Sequence, residues 1–383
     1  MATPFTSLNL LTSPYTIPNP SAPVQATLSR WSDTHLTHPA IHIVPNTEQD
    51  IQSAILFSKE NDLHIVPACG GHGTFTPVGP RTAYLDLRNF GSIALDKGSG
   101  TEGHYTSVPN SNAVGVVGAI LGGGNSSQNG VLGWMADNVL SFRLVTSSGA
   151  ILEDISPSSP AGDQLALYHA LCGAGHGLGI ITAVTLTALP LSSLSLTDNK
   201  ICLQNHQGIH STHPPANQND AFEPVNTHGG YKSLAAARLS ALHPDSIQEA
   251  FARWLSLAES SPDALRTAAF FHNYNPSTSV ANGESPQGRA RFIDSREKGL
   301  SALLTAWCTD PGTQPALSSF LDDILSICRQ ADTTAGVAPR TFPNNMRLGH
   351  GIDQLFPEER LAELARLKKI WDSDGVFWSP YQR

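Results

Sequence analysis

At 383 residues the chain exceeds the ~250 at which a single hydrophobic core stops growing, so two packed lobes are expected. Charged residues are 14% and hydrophobic ones 40%, with 32 Gly and 27 Pro, a turn-rich globular composition that excludes a disordered or coiled-coil chain. A formal net charge of -9, with no run among the 23 basic residues, speaks against a phosphate-tracking surface, and no nucleic-acid partner is expected.

The amino terminus, MATPFTSLNLLTSPYTIPNPSAP, has neither a basic start nor a continuous apolar stretch. No later window reaches the ~20 apolar residues of a membrane helix, so a cytoplasmic protein without membrane contact is expected. Cys69, Cys172, Cys202, Cys308 and Cys328 are scattered, odd in number and free of metal or redox spacing, which implies no disulfide framework.

From Ile41 the sequence IHIVPNTEQDIQSAILFSKENDLHIVPACGGHG parses as strand, helix and strand, with Asn46 or Thr47 as helix cap and Ile51, Ala54, Ile55 and Ser58 on the inward face. AYLDLRNFGSIALD alternates as a half-buried strand does, and GHYTSVPNSNAVGVVGAILGGGNSSQNG reads as sheet and loop. DNVLSFRLVTSSGAILEDIS carries two apolar runs around SSG, a hairpin signal. A helix from about Pro160, a glycine-rich turn and a long apolar strand then close an α+β lobe over 1–190.

Texture changes at 191–227, which is polar, Pro-rich and short of apolar periodicity, and marks the junction to a smaller α+β lobe over 191–340. That lobe reads as strand and amphipathic helix in YKSLAAARLSALHPDSIQEAFARWLSLAESS, a strand in RTAAFFHNY and a helix in PALSSFLDDILSICRQAD. A closing segment, 341–383, contains a helix with Leu361, Leu364, Leu367 and Trp371 on one face.

Gly70, Gly71 and Gly73 around His72 follow a strand and supply bare backbone amides, which bind pyrophosphate without a basic side chain. From the glycines alone, a tight turn with a solvated His72 accounts for them equally well. Gly122, Gly123 and Gly124 are expected at the end of a strand, where a second stretch of backbone approaches an extended ligand. GAGHGLG, from Gly173 to Gly179, follows a helix and precedes a strand, the wrong order for a Rossmann phosphate loop. His206, His210, His213 and His228 gather in the junction with irregular spacing in loop-like surroundings, and no metal site is expected.

Taken in order, these segments resemble the vanillyl-alcohol oxidase superfamily of FAD enzymes, whose FAD domain is of the PCMH type, and within it the fungal berberine bridge enzyme-like oxidases. PACGGHGTFTPVG is similar to the family's first FAD loop, VGVVGAILGGG to its second, GVLGWMADNVLSFRLVTSSGAI to the strand pair that follows and CGAGHGLGIIT to the turn ending the dinucleotide lobe. LARLKKIWDSDGVFWSP is similar to the closing helix and its turn. The resemblance implies a two-lobed α+β FAD-binding domain with a smaller substrate domain over the flavin. It implies FAD contacts from Cys69, Gly70, Gly71, His72, Gly73, Thr74, Ser111, Gly115, Gly122, Gly123, Gly124, Asp137, Asn138, Gly179 and Ile180.

By the same resemblance His72 is the point of covalent flavin attachment, with tight noncovalent FAD as the alternative. Ser111 stands where many relatives have a cysteine, so no second link is implied. KGSGTEGH between Asp96 and Tyr105 is shorter than the family's flanking stretch and implies a more open cradle. TFPNNMRLGHGIDQLF, matched to the family's last substrate-lobe strand, offers Phe342, Asn345 and Phe356 where relatives have tyrosines. Candidate bases are then His350, Asp353, His272, Tyr274 and Tyr231, with His272 and Tyr274 on one strand face by the two-residue period.

The implied function is oxidation of a small organic molecule, a biosynthetic intermediate, by hydride transfer to flavin N5 with molecular oxygen as acceptor. The alternative is a non-redox isomerase or cyclase on the same scaffold.

Overall fold

The computed structural model describes residues 5–96, 103–193, 198–204, 207–213, 219–220, 223, 226–294, 296–348 and 351–381. β1 (Tyr15–Thr16), β2 (Ile41–Ile43), β3 (His64–Ala68) and β4 (Thr82–Asp86) form one sheet in the order β1-β2-β4-β3, parallel except for β1. Helix α1 (Glu48–Glu60) crosses from β2 to β3. Thr47 caps it: its hydroxyl accepts from the Asp50 amide at 3.1 Å while the Asp50 carboxylate accepts from the Thr47 amide at 3.1 Å. Ile51, Ala54, Ile55 and Phe57 pack onto Ile41, Ile43, Ile65, Ala83 and Leu85, each large side chain adding ~1.5–3 kcal/mol of burial.

AYLDLRNFGSIALD does not form one half-buried strand. β4 stops at Asp86 and all five of its residues are buried, because both sheet faces are covered: Ala83 and Leu85 pack with α1 and Tyr84 packs with Leu28 and Val78. The shortened stretch at 97–102 lies outside the described residues. β5 (His104–Tyr105) is followed by α2 (Val116–Leu121), so Gly122, Gly123 and Gly124 follow a helix and not the expected strand. After the short α3 (Asn129–Leu132), β6 (Val139–Val145) pairs with β7 (Ile151–Ile155) across SSG, as its turn residues predict.

Helix α4 (Asp163–Ala174) leads through the glycine-rich turn to β8 (Ile180–Leu186), giving a second sheet in the order β7-β6-β8. β9 (Leu189–Pro190) pairs back on β5. The polar junction, expected as loop, contains an antiparallel hairpin of β10 (Asp198–Gln204) and β11 (Gln207–His213). A polar hairpin has little apolar alternation to announce it.

The second lobe is a three-stranded antiparallel sheet with helices on one face. β12 (Tyr231–Leu239) is followed by α5 (Pro244–Ser260), β13 (Ala268–Asn273), the short α6 (Ser277–Glu284) and α7 (Pro286–Ala290), β14 (Leu300–Cys308), α8 (Gln314–Cys328) and α9 (Gln330–Thr334). The sheet order is β12-β14-β13. Ala235, Ala237, Ala302, Leu304 and Ala306 pack under Leu317, Leu321 and Ile324 of α8. The two-residue period therefore turns Leu234, Phe270, His272, Leu303 and Thr305 to the other face, with Leu234 opposite Thr305 and Phe270 opposite Leu303.

The stretch from Thr341 to Phe356 is not a strand where described, but short 3-10 turns at Pro343–Asn345 and Ile352–Gln354. Helix α10 (Glu358–Trp371) then returns to the first lobe, where Leu361, Leu364 and Leu367 join a core containing Leu167 and Leu171. Beyond it the Asp372 carboxylate accepts from the amides of Val376 and Phe377 at 2.9 and 3.0 Å and from Lys368 Nζ at 2.5 Å, and Phe377 pairs with Ile65 of β3. Among the described residues no helix is long and apolar enough to cross a membrane.

Candidate functional site

A cleft with about 1880 Å³ of space, its open mouth included, runs between the glycine loops of the first lobe and the bare face of the second-lobe sheet. Its first wall is the loop Cys69–Gly73, into which β3 runs directly. Gly71 has φ 64, a left-handed conformation that favours glycine. A Cβ on Gly70 would collide with the Ala113 carbonyl oxygen and lie 2.8 Å from the Gly115 amide, and one on Gly115 would lie 3.0 Å from Cys69 Cβ. The two loops thus touch backbone to backbone, which side chains at these positions would prevent.

Ser111, Gly115 and Gly118 form the second wall. Ser111 donates its hydroxyl to Asn226 Oδ1 at 2.5 Å, and a Cβ on Gly118 would meet nothing within 4 Å, so bare helix backbone lies open there. Gly177 and Gly179 complete the first-lobe side, and Leu234, Phe270, His272, Leu303, Thr305, Phe342 and Asn345 close the opposite one. Open glycine backbone on one side and an apolar face on the other suit the diphosphate and the ring system of FAD in chemistry.

Several expected contacts lie elsewhere. Gly122, Gly123 and Gly124 do not line the cleft; Gly124 donates its amide to Asn344 Oδ1 at 3.2 Å, and Gly123 packs on Trp134. They let a helix end pass close to its protein neighbours. Asp137 is buried in an ion pair with Arg296, 2.8 Å, and Arg291, 3.5 Å. The Asn138 amide group donates to the carbonyls of Leu132 and Trp134 at 3.1 and 3.0 Å, and Ile180 is a core residue. Thr74 is buried beside a separate polar cavity.

Of the candidate bases, His272 lines the cleft. Tyr274 lies just past the end of β13 and accepts from Arg238 Nη2 at 3.0 Å, away from the cleft. Asp353 is exposed on a turn, where its backbone carbonyl accepts from Arg340 at 2.7 Å. Tyr231 borders the separate polar cavity, Phe356 is buried against Phe292 and Tyr381, and His350 lies outside the described residues.

His72 lines the cleft with its ring stacked on Trp31, centroids 4.1 Å apart and planes 18° from parallel. Burial, and then the neighbouring His228, Lys232 and Arg30, pull its pKa down to about 3, so the imidazole is neutral at ordinary pH. Burial likewise brings His176, also on the cleft, down to about 4, and raises Tyr84 to about 12. Burial, reinforced by Asp86, raises the Cys69 thiol.

Sequence reasoning missed Arg30, Trp31, Phe270 and His176 as cleft residues. His176 stood inside the GAGHGLG motif, but Arg30 and Trp31 sit in a stretch without motif or period. His206 lies outside the described residues, as do the side chains of His210 and His213; His228 Nε2 lies 3.2 Å from the Gly70 carbonyl oxygen. Among the described residues no group of His, Cys, Asp and Glu is arranged to hold a metal.

No protein-family model matches the chain. Among curated proteins it is similar to the FAD-linked oxidoreductase afoF of Emericella nidulans, 29% identical over 177 residues, 41% of this chain and 36% of that protein. The chain thus spans about a third of the length of the relatives it matches first. The similarity to the FAD-linked oxidoreductase tazL of Aspergillus terreus is far more extensive: 30% identity over 92% of this chain and 87% of the relative. Among solved structures the fold is similar to wild-type BBE-like 1 of Physcomitrella patens, TM-score 0.75, 16% identity, 96% of each chain. It is also similar to a variant of berberine bridge enzyme, TM-score 0.69, 14% identity, 96% of each chain. With a near full-length relative at this identity and glycine loops framing one extended cleft, the chain belongs to the FAD-linked oxidoreductases.

Proposed function

We infer that the chain oxidises a small organic molecule, a secondary-metabolite intermediate, with FAD held in the cleft. The observation that carries this reading is the single continuous cleft joining the glycine loops to the second-lobe face that bears His272. Cys69 to Gly73, Ser111, Gly115, Gly118, Gly177 and Gly179 would hold FAD. FAD held there would supply a hydride acceptor at flavin N5, with molecular oxygen as the electron acceptor.

His272 accepts the proton from the substrate hydroxyl or amine at a ring nitrogen, which prepares the adjacent C–H for hydride loss. Leu234, Phe270, Leu303 and Phe342 exclude water and hold an apolar substrate face. Arg30, and no carboxylate among the described residues, lines the cleft, which disfavours a cationic substrate. His72, neutral and in the cleft, is the attachment point for the flavin ring in this reading, and Ser111 offers no sulfur for a second link.

Purified protein is expected to be yellow, and His272→Ala to keep its flavin while the anaerobic rate of flavin reduction falls ~10²–10⁴-fold. A colourless chain that stays colourless with added FAD would sink the reading. An unchanged rate in His272→Ala would remove the residue from the chemistry. A non-redox isomerase or cyclase is the second reading, favoured because no second-lobe tyrosine lines the cleft among the described residues. It requires anaerobic turnover with the flavin left oxidised.

A further inference from the structure

We propose that Trp31 and Lys232 form a clamp through which the second lobe fixes the ring plane of His72, making both of them positioning residues for the flavin end of the cleft. The inference rests on the reading of His72 as the flavin's neighbour and concerns how its geometry is set.

Trp31 is 3% exposed and lies against the imidazole at 4.1 Å and 18°. Its amide donates to the Gly71 carbonyl at 3.1 Å, so ring and backbone both hold the loop that carries His72. Trp31 is itself held from the second lobe. Lys232, on β12, is fully buried, and its Nζ donates to the carbonyls of Trp31, Thr227 and Gly229 at 2.6, 2.7 and 2.5 Å. The same ammonium lies 4.9 Å from the Trp31 ring centre and 4.2 Å from that of Trp307.

The backbone on either side is stitched as well. Ser32 Oγ donates to the Lys232 carbonyl at 2.7 Å and accepts from its amide at 3.0 Å; the Gly229 amide donates to the Arg30 carbonyl at 3.0 Å and the Asp33 amide to the Gly230 carbonyl at 2.9 Å.

A buried ammonium is costly unless every N–H finds an acceptor: burial lowers the Lys232 pKa to about 8, and the nearby Asp33 carboxylate, which accepts from the Gly230 amide at 2.9 Å, opposes that shift. Three carbonyls and two indole rings meet that demand only while residues 229–232 and 30–33 stay in register. Charge at this point therefore converts a lobe contact into a fixed geometry for Trp31. Burial first, and then His228, Lys232 and Arg30, keep the His72 imidazole neutral, so its stack on Trp31, and not an ion pair, is the contact that orients it.

The test uses the full chain as Trp31→Phe, Trp31→Leu, Lys232→Arg and Lys232→Met. Denaturing intact mass reads the fraction of chains bearing flavin. Histidine-ring NMR, with His72 assigned by the signal lost in His72→Asn, reads the stack through its ring-current shift. Trp31→Phe and Lys232→Arg should hold the flavin-bearing fraction within about twofold and keep the shift, while Trp31→Leu and Lys232→Met should lower the fraction at least ~10-fold and move the signal toward an unstacked position.

Folded Lys232→Met with wild-type shift and flavin fraction, or Trp31→Leu with wild-type flavin fraction, would overturn the clamp, and so would Lys232→Arg behaving like Lys232→Met; in Trp31→Leu the flavin fraction alone decides, because loss of the indole removes its ring current in any case. If Lys232→Met does not fold, the two Trp31 variants decide. A wild-type chain without flavin mass refutes His72 as the attachment point, whereas the His72 ring shift still decides the clamp.

Discussion

Gly70 and Gly118 both line the cleft, yet adding one methyl group to each should have different consequences. In Gly70→Ala the new Cβ meets the Ala113 carbonyl oxygen well inside van der Waals distance and the Gly115 amide at 2.8 Å. Both are backbone atoms, so the loops must separate by ~1 Å to restore ordinary contact. Overpacking of this kind costs ~1–3 kcal/mol, and a cradle displaced by that much should hold FAD ~10- to 100-fold more weakly. In Gly118→Ala the Cβ meets nothing within 4 Å, and the residue sits in helix α2, where alanine is favoured over glycine by up to ~1 kcal/mol. That variant should be as stable as wild type or more so, while its methyl group intrudes on the cleft and weakens FAD. In a His72→Ala background, where FAD binds only noncovalently, thermal unfolding of the flavin-free chains and titration of FAD fluorescence separate the two effects. Equal FAD affinity in Gly70→Ala and wild type would show that the loop contact does not shape the cradle. A loss of stability in Gly118→Ala would show that its surroundings are not open.

Asp137→Asn removes the carboxylate between Arg291 and Arg296, whose side chains are about one-tenth exposed. Two buried guanidiniums without their counter-ion should cost ~3–5 kcal/mol, visible as a lower urea midpoint with an unchanged slope. A midpoint within error of wild type would contradict the assignment of Asp137 to structure. Acid should also destabilise the fold through its histidines. His72 and His176 have folded-state pKa values depressed to about 3 and about 4 by burial, so the unfolded chain binds more protons as pH falls below ~6.5. Their contribution is fully present above that pH and is lost progressively down to the folded-state values. Thermal midpoints measured from pH 7 to pH 4 should decline, and His176→Phe should flatten the decline; an equally steep decline in that variant would exclude His176 as a contributor.

Much of the fold was legible because its signals are local. The period of Ile51, Ala54 and Ile55, the Thr47 capping box, the SSG hairpin and the face of Leu361, Leu364 and Leu367 each depend on a few neighbouring residues. Errors arose where long-range packing decided. The run Gly122 to Gly124 demands special backbone conformations, but glycine serves close packing on Asn344, Trp134 and Met135 as readily as ligand approach. The two-residue period placed His272 and Tyr274 on one face only for as long as the strand lasts, and β13 ends at Asn273. Asp353, a replacement candidate for the base, sits on an exposed turn because no strand forms there to aim it inward.

By itself the sequence determined the α+β class, the β2-α1-β3 unit, the loop carrying His72 and the resemblance to FAD enzymes. These rest on backbone demands and apolar periods that short stretches of chain express independently of the rest. Only the tertiary structure decided which glycines face the cleft, that His272 among the candidate bases reaches it, and that Trp31 contacts both His72 and Lys232. Ser32 and Lys232 are 200 positions apart, and their contact exists because two lobes meet there. No local pattern encodes such a meeting, since each partner in its own segment is an ordinary polar or aromatic side chain.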